Sequence, residues 1–216
     1  RAWAFALLGI HEYLRAFSGD RWVNQLREVL TNRLVDMFRI NSSDDWMWFE
    51  PVAAYDNAKI SQAMILSGYW TSRGDVVDLG LRSLRWLVEQ QKAERGHFAP
   101  IGSNGFWVRG EERARFDQQP VEAHSMIAAC VEAYALTRDA SWHRAARRCF
   151  DWFLDRNDLG LPLYDPSTGG CRDALHQDRV NQNQGAESTL AFHLSRVEMS
   201  RAEAVLYGET QRLSGF

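Results

Sequence analysis

The chain has 216 residues, 45% hydrophobic and 25% charged, with a net charge of −3. This is the composition of one globular domain, and its scattered basic residues give neither nucleic acid nor an anionic membrane a stripe to hold. No apolar run reaches the ~20 residues that cross a bilayer, and no signal peptide is visible.

The chain opens on Arg1, not Met, already inside a helical pattern. The expectation is one domain over residues 1–216, forming the C-terminal part of a longer polypeptide. A first helix is predicted over Arg1–Ser18. Its Trp3, Phe5, Leu7, Ile10, Tyr13, Leu14 and Phe17 cover so much of the circumference that it should be buried on most sides. Gly19-Asp20 stops it, and Asp20 can cap the amphipathic helix Arg21–Phe38. Loop one follows, with Trp46, Trp48 and Pro51, which blocks helix continuation.

A second, mostly apolar helix is predicted over Ala58–Ser72, then an amphipathic one over Val76–Gln91. Loop two, Glu94 to Pro120, is turn-rich and suggests a short hairpin around His97–Val108. Val121–Thr137 reads as a third apolar helix and Trp142–Asn157 as its amphipathic partner. Loop three, Asp158–Gly185, exceeds the ~12–15 residues of most connections and reads as an ordered, functional loop. A fourth apolar helix runs from Ala186 to Ser200 or a little beyond.

The same unit recurs: apolar helix, short Asp-containing turn, amphipathic helix, long polar loop. A helix hairpin cannot bury its apolar face alone and must stack on neighbours. Short turns at one end and long loops at the other favour a ring over an open solenoid. The fold expected is therefore all-α, an (α/α) toroid of repeated helix hairpins, incomplete because its N-terminal part is missing. Of the cysteines, Cys130 and Cys149 sit in apolar helical patterns as small buried hydrophobes, and with Cys171 they lack metal spacing. That favours a reducing, cytoplasmic setting. No metal-, nucleotide- or serine-hydrolase motif occurs in a supporting context, so neither metal nor cofactor is expected.

Chemistry concentrates where long loops enter apolar helices. Backbone N–H groups and the positive end of the helix dipole converge there. Glycoside cleavage needs two carboxyl groups, and Asp117, Glu122 and Glu187 are the catalytic candidates. For Glu122 and Glu187 taken singly, helix capping is the commoner role of an acid in a first turn. Amides suit neutral sugar hydroxyls, and aromatic faces suit sugar rings. The substrate-binding candidates in loop one and its helix junction are Trp48, Tyr55, Asp56 and Asn57. Loop two and its junction add Trp107, Arg115, Gln118 and His124; loop three adds Tyr164, Arg172, Asn183 and Gln184. His124 can equally be a satisfied core histidine, and each Trp an anchor plugging a helix end.

Tyr55-Asp56-Asn57-Ala58, Phe116-Asp117-Gln118-Gln119-Pro120-Val121-Glu122-Ala123, Asp158 to Asp165, Gly169 to Asp173 and Asn183-Gln184-Gly185-Ala186-Glu187-Ser188-Thr189 together resemble a bacterial family of six-hairpin glycosidase-like domains. The resemblance runs over nearly the whole chain. It implies an (α/α) toroid, a glycan substrate and an association with a glycosyltransferase domain or system. The fold hosts hydrolases, epimerases and binding domains, so it does not fix a reaction. A glycoside hydrolase-like domain, a non-catalytic glycan-binding or scaffold domain, and a protein-interaction solenoid all remain open at this level.

Overall fold

The computed structural model describes the backbone of residues 1–213 and the side chains of residues 1–205. Among the described residues, seven helices follow in order: α1 (Ala2–Ala16), α2 (Arg21–Asn41), α3 (Ala58–Trp70), α4 (Gly74–Gln90), α5 (Pro120–Thr137), α6 (Ala140–Leu154) and α7 (Ala186–Leu213). Two short strands, β1 (Val52–Ala53) and β2 (Trp107–Val108), pair antiparallel with Val52 opposite Val108. The fold is all-α, of the (α/α) toroid type. Packing joins α1 to α3, α3 to α5 and α5 to α7 as an inner row, while α2, α4 and α6 each lie outside their partner.

Sequence explains which helices go inside. Nearly every side chain of α3 and α5 along the first three turns is buried, as expected for helices apolar on all faces. The outer α4 and α6 bury one stripe each, including Leu84 and Leu87 on α4 and Trp142, Cys149 and Phe153 on α6. Two glycines let α3 and α4 meet closely. A Cβ on Gly68 would come within 2.7 Å of the Val77 backbone nitrogen, and one on Gly80 within 2.9 Å of that of Ile65.

The turns behave unevenly. Asp20 and Asp139 cap α2 and α6, accepting from Val23 N at 3.0 Å and Ser141 N at 2.9 Å. Asp75 instead falls inside the first turn of α4 and pairs with Arg73. Two expectations need correcting. The first helix is not buried on most sides: Phe5 is 43% and Tyr13 42% exposed, because α1 has neighbours on only two flanks. The hairpin expected within loop two does not form. Trp107-Val108 pairs instead with Val52-Ala53 of loop one, while loop two turns back on itself through Gly102 N to Ala114 O and Ala114 N to Phe106 O. Among the described residues, no helix is long and apolar enough to cross a membrane.

Candidate functional site

The N-terminal ends of the inner helices converge. At the entry to α3, Asp56 adopts a left-handed conformation (φ 52°), which an aspartate tolerates better than most side chains. That twist turns the Asp56 and Asn57 backbone N–H groups toward Glu122, in the first turn of α5. Glu122 accepts from both N–H groups and from Asn57 Nδ2 at 3.1 Å. It is therefore neither a cap of its own helix nor a free acid: it ties one repeat to the next. Tyr55 reaches the other way, donating its hydroxyl to Glu187 Oε2 in the first turn of α7 at 3.0 Å. Arg1, just before α1, donates to Asn57 Oδ1 at 2.7 Å and pairs with Glu50.

The electrostatics are those of a desolvated acidic pair. Burial and the neighbouring Asp56 push the Glu122 carboxyl up to about 7, against the backbone and side-chain donors that favour its charge. Burial also raises Asp56, with Lys59, Ser125 and Arg1 working the other way and Glu187 adding to the rise. Oδ1 of Asp56 is buried and has no hydrogen-bond partner, which is costly for an acid that is only 5% exposed. Lys59 is lowered chiefly by burial, and burial with Lys59 nearby takes His124 down to about 4. Burial and Glu187 raise Tyr55 to about 12. Asp56, Glu122 and Glu187 thus share one environment, together with Tyr55, Asn57 and His124. Lys59, Ser125 and Arg1 belong to it too and escaped the sequence reading: a lone Lys inside an apolar helix carries no motif.

Asp117 lies elsewhere. It pairs with His176 Nδ1, beside Phe116, Asn104 and Arg179 in a separate shallow depression. Arg115 and Gln118 are consumed by Asp158, a side chain only 3% exposed. Arg115 donates to Asp158 Oδ1 at 2.9 Å, Gln118 Nε2 to Oδ2 at 2.6 Å, and His97 Nε2 lies 3.2 Å from Oδ1. Gln118 Oε1 then accepts from Trp152 Nε1 at 2.9 Å. These groups clamp loops two and three onto α6; Gln118, wholly buried with its amide committed on both sides, has no capacity left for a sugar, while Arg115 keeps exposed donors.

The remaining candidates also serve packing. Trp48 is wholly buried against Trp86, so it has no face to offer a sugar. Trp107 stacks on the other side of this cluster, 5.4 Å from Trp86 and nearly parallel, with Nε1 donating to Glu111 O. Tyr164 stacks on Phe192 at 4.1 Å. Arg172 bonds Gln182 and faces Asp165, and Gln184 joins Thr168 and Asp165, so loop three is stapled to itself. Asn183 is exposed and its carbonyl accepts from Asp173 N. Among the described residues, no group of three or more His, Cys, Asp or Glu is placed to hold a metal.

A cavity of about 550 Å³ opens at the opposite ends of α3 and α5, lined by His11, Glu12, Tyr69, Trp70, Glu132 and Arg201. Its acids are paired: Arg15 holds Glu12, and Arg201 holds Glu132. The buried acid with an unpartnered oxygen, Asp56, is at the other end.

No family model matches the chain, and no curated protein matches it. A solved structure does: the GH76 α-mannanase of Bacteroides thetaiotaomicron, in a selenomethionine derivative, is similar with a TM-score of 0.58 at 16% sequence identity. The match covers 97% of this chain and 61% of that one, so the chain spans about three-fifths of the mannanase's length. At this identity the likeness speaks for the fold, and the fold it speaks for is the (α/α) toroid built from helix hairpins.

Proposed function

We propose that this chain is a carbohydrate-active, glycoside hydrolase-like domain whose working carboxyl pair is Asp56 and Glu187. The observation that carries this reading is the buried, unpartnered Oδ1 of Asp56 at the meeting point of three helix N-termini. A glycosidic oxygen leaves only when protonated, so one acid must hold its proton near neutrality. Burial raises Asp56 in that direction. Glu187 stands at the exposed mouth under the Tyr55 hydroxyl and supplies the second carboxyl. Glu122 is the positioning residue: its bonds to the Asp56 and Asn57 backbones hold the left-handed turn that aims Asp56. This assigns Glu122 a different part from the one its sequence position suggests, and leaves Asp117 outside the chemistry.

The toroid likeness to an α-mannanase makes α-mannans the first substrates to try. The setting proposed is a reducing bacterial compartment, beside a glycosyltransferase system; the resemblance of the loop motifs and the three free cysteines support it. The test is reducing-end release from a panel of mannans and other bacterial glycans. Wild type should turn over at least one of them, and Asp56→Asn should lose ~10²–10⁴-fold in kcat while its thermal unfolding stays unchanged or improves. Saturable binding without release in wild type would replace hydrolysis by a glycan-binding role. Absence of both would overturn the carbohydrate reading.

A further inference from the structure

The structure gathers what the sequence scatters. Between the outer helices α4 and α6 runs a groove of about 960 Å³ whose lining holds seven basic side chains against two acids, on a chain of net charge −3. One wall carries Arg85 on α4, with Lys92 and Arg95 just beyond its end. The other carries Arg144, Arg147 and Arg148 on α6, with Arg156 just beyond. Internal partners absorb only some of this charge. Arg85 bonds Asp139 at 3.1 Å and lies over the Trp142 ring, and Arg147 bonds Asp151 at 2.9 Å. Lys92, Arg144 and Arg148 have no side-chain ion pair among the described residues. At the long-loop end the groove is continuous, through Lys92, Arg95 and His97, with a second hollow of about 370 Å³ that adds Arg113 and Arg115 balanced by Glu94 and Asp158.

We infer that this groove is a binding track for an acidic polysaccharide strand, one bearing carboxylate or phosphate groups. This rests on the carbohydrate reading above and extends it to the charge class of the glycan. Three observations favour such an occupant. The track follows the whole of α6, 15 residues or about 22 Å, which suits an extended polymer rather than a single sugar. Its excess positive charge matches a repeated anion and would release counterions on binding. It also lacks an exposed aromatic platform: Trp142, the one large ring in the lining, is 2% exposed beneath Arg85. Single-stranded nucleic acid depends on such platforms for base stacking. The track leads toward the rim, since Lys92 and Arg95 lie just past the C-terminal end of α4 and Arg156 just past that of α6, where loops two and three begin. A long acidic chain lying in it would present its end to the loop face that carries Asp56 and Glu187.

The test is calorimetric titration of the whole chain with polygalacturonate and a phosphorylated mannan, against neutral mannan, polyglutamate and single-stranded DNA as controls. Both acidic polysaccharides should bind, and their affinity should fall steeply with salt. Lys92→Glu with Arg144→Glu, both exposed positions, should lose about tenfold at low salt and flatten the salt slope by about two, one for each cation removed. Lys92→Arg should bind as wild type, and circular dichroism should show the double variant folded. Equal affinity for neutral mannan, tighter binding of polyglutamate or DNA, or an unaffected double variant would overturn the proposal. Asp56→Asn should leave this binding intact. Loss of hydrolysis with the track still occupied therefore marks a failure of the carboxyl-pair reading alone.

Discussion

Asp158 and Asp56 are both acids of the long-loop face, both nearly withdrawn from water, and each meets a neighbouring repeat. Asp158 has every need met: a guanidinium, an amide and an imidazole converge on it, and those hydrogen bonds hold its carboxyl below the usual range despite burial. Asp56 has an oxygen with nothing to accept from, beside an acid pushed up to about 7. A satisfied buried carboxylate is what a clamp looks like. An unsatisfied one is a cost that folding alone does not explain, and such costs collect where chemistry or binding is done.

The largest effect should come from breaking the clamp. Asp158→Ala takes one of two acceptors from the buried Gln118 Nε2, whose other bond goes to Arg115 O, and takes the acceptor from Arg115 and His97. Removing the shared charged acceptor of such a network costs about 3 kcal/mol. Urea unfolding should show that loss, with binding at the rim altered only as far as folding is. The pH sense follows from its lowered pKa. The Asp158 contribution is complete above the ordinary aspartate range and is lost as pH falls through the lower folded value.

Glu122 should show the opposite sign. Its folded carboxyl titrates at about 7 against an ordinary value of 4.5, so the folded state holds the proton more tightly. Stability should therefore fall as pH rises from about 4.5 to about 7 and level off beyond, a change of about 3 kcal/mol for this one group. His124, lowered to about 4, acts the other way, costing stability as pH drops below its ordinary 6.5. Unfolding measured in steps from pH 4.5 to 8 checks this. Because the His124 rise opposes the Glu122 fall over nearly the same window, Glu122→Gln should turn the slope more positive than that of wild type. A wild-type-like slope in that variant would detach the pH effect from the α3–α5 junction.

These two junctions also mark what could be read from residues alone. The apolar periodicity of α3 and α5, the Asp20 and Asp139 caps and the repeat of long loops all lie in local sequence, and the helices form there. The convergence of Tyr55, Asp56, Glu122 and Glu187 was legible as three similar loop–helix junctions. Which acid is free was not. Gln118 looks like a sugar ligand until Asp158, forty positions away, and Trp152 take up its amide. Trp48 and Trp107 look like stacking platforms until Trp86 of another helix fills the space between them. The basic groove was likewise hidden, because α4 and α6 are separated in the chain by the whole of α5. Long-range satisfaction of polar groups leaves no mark on local pattern.

The smallest stability effect, and the finest test of the contrast, is Tyr55→Phe. Tyr55 is 38% exposed and its ring stays in place when the hydroxyl goes. Its bond to Glu187 is therefore worth little to folding, and unfolding should shift by less than about 1 kcal/mol. Catalysis should feel the same deletion more. If Glu187 is the second carboxyl, removing the hydroxyl that orients it should lower kcat about tenfold, the value of a hydrogen bond of about 1.4 kcal/mol, with KM little changed. A stability loss rivalling that of Asp158→Ala would make the Tyr55–Glu187 contact a second clamp and erase the distinction between the two regions. A kcat effect without a stability effect would place Glu187 on the working side of it.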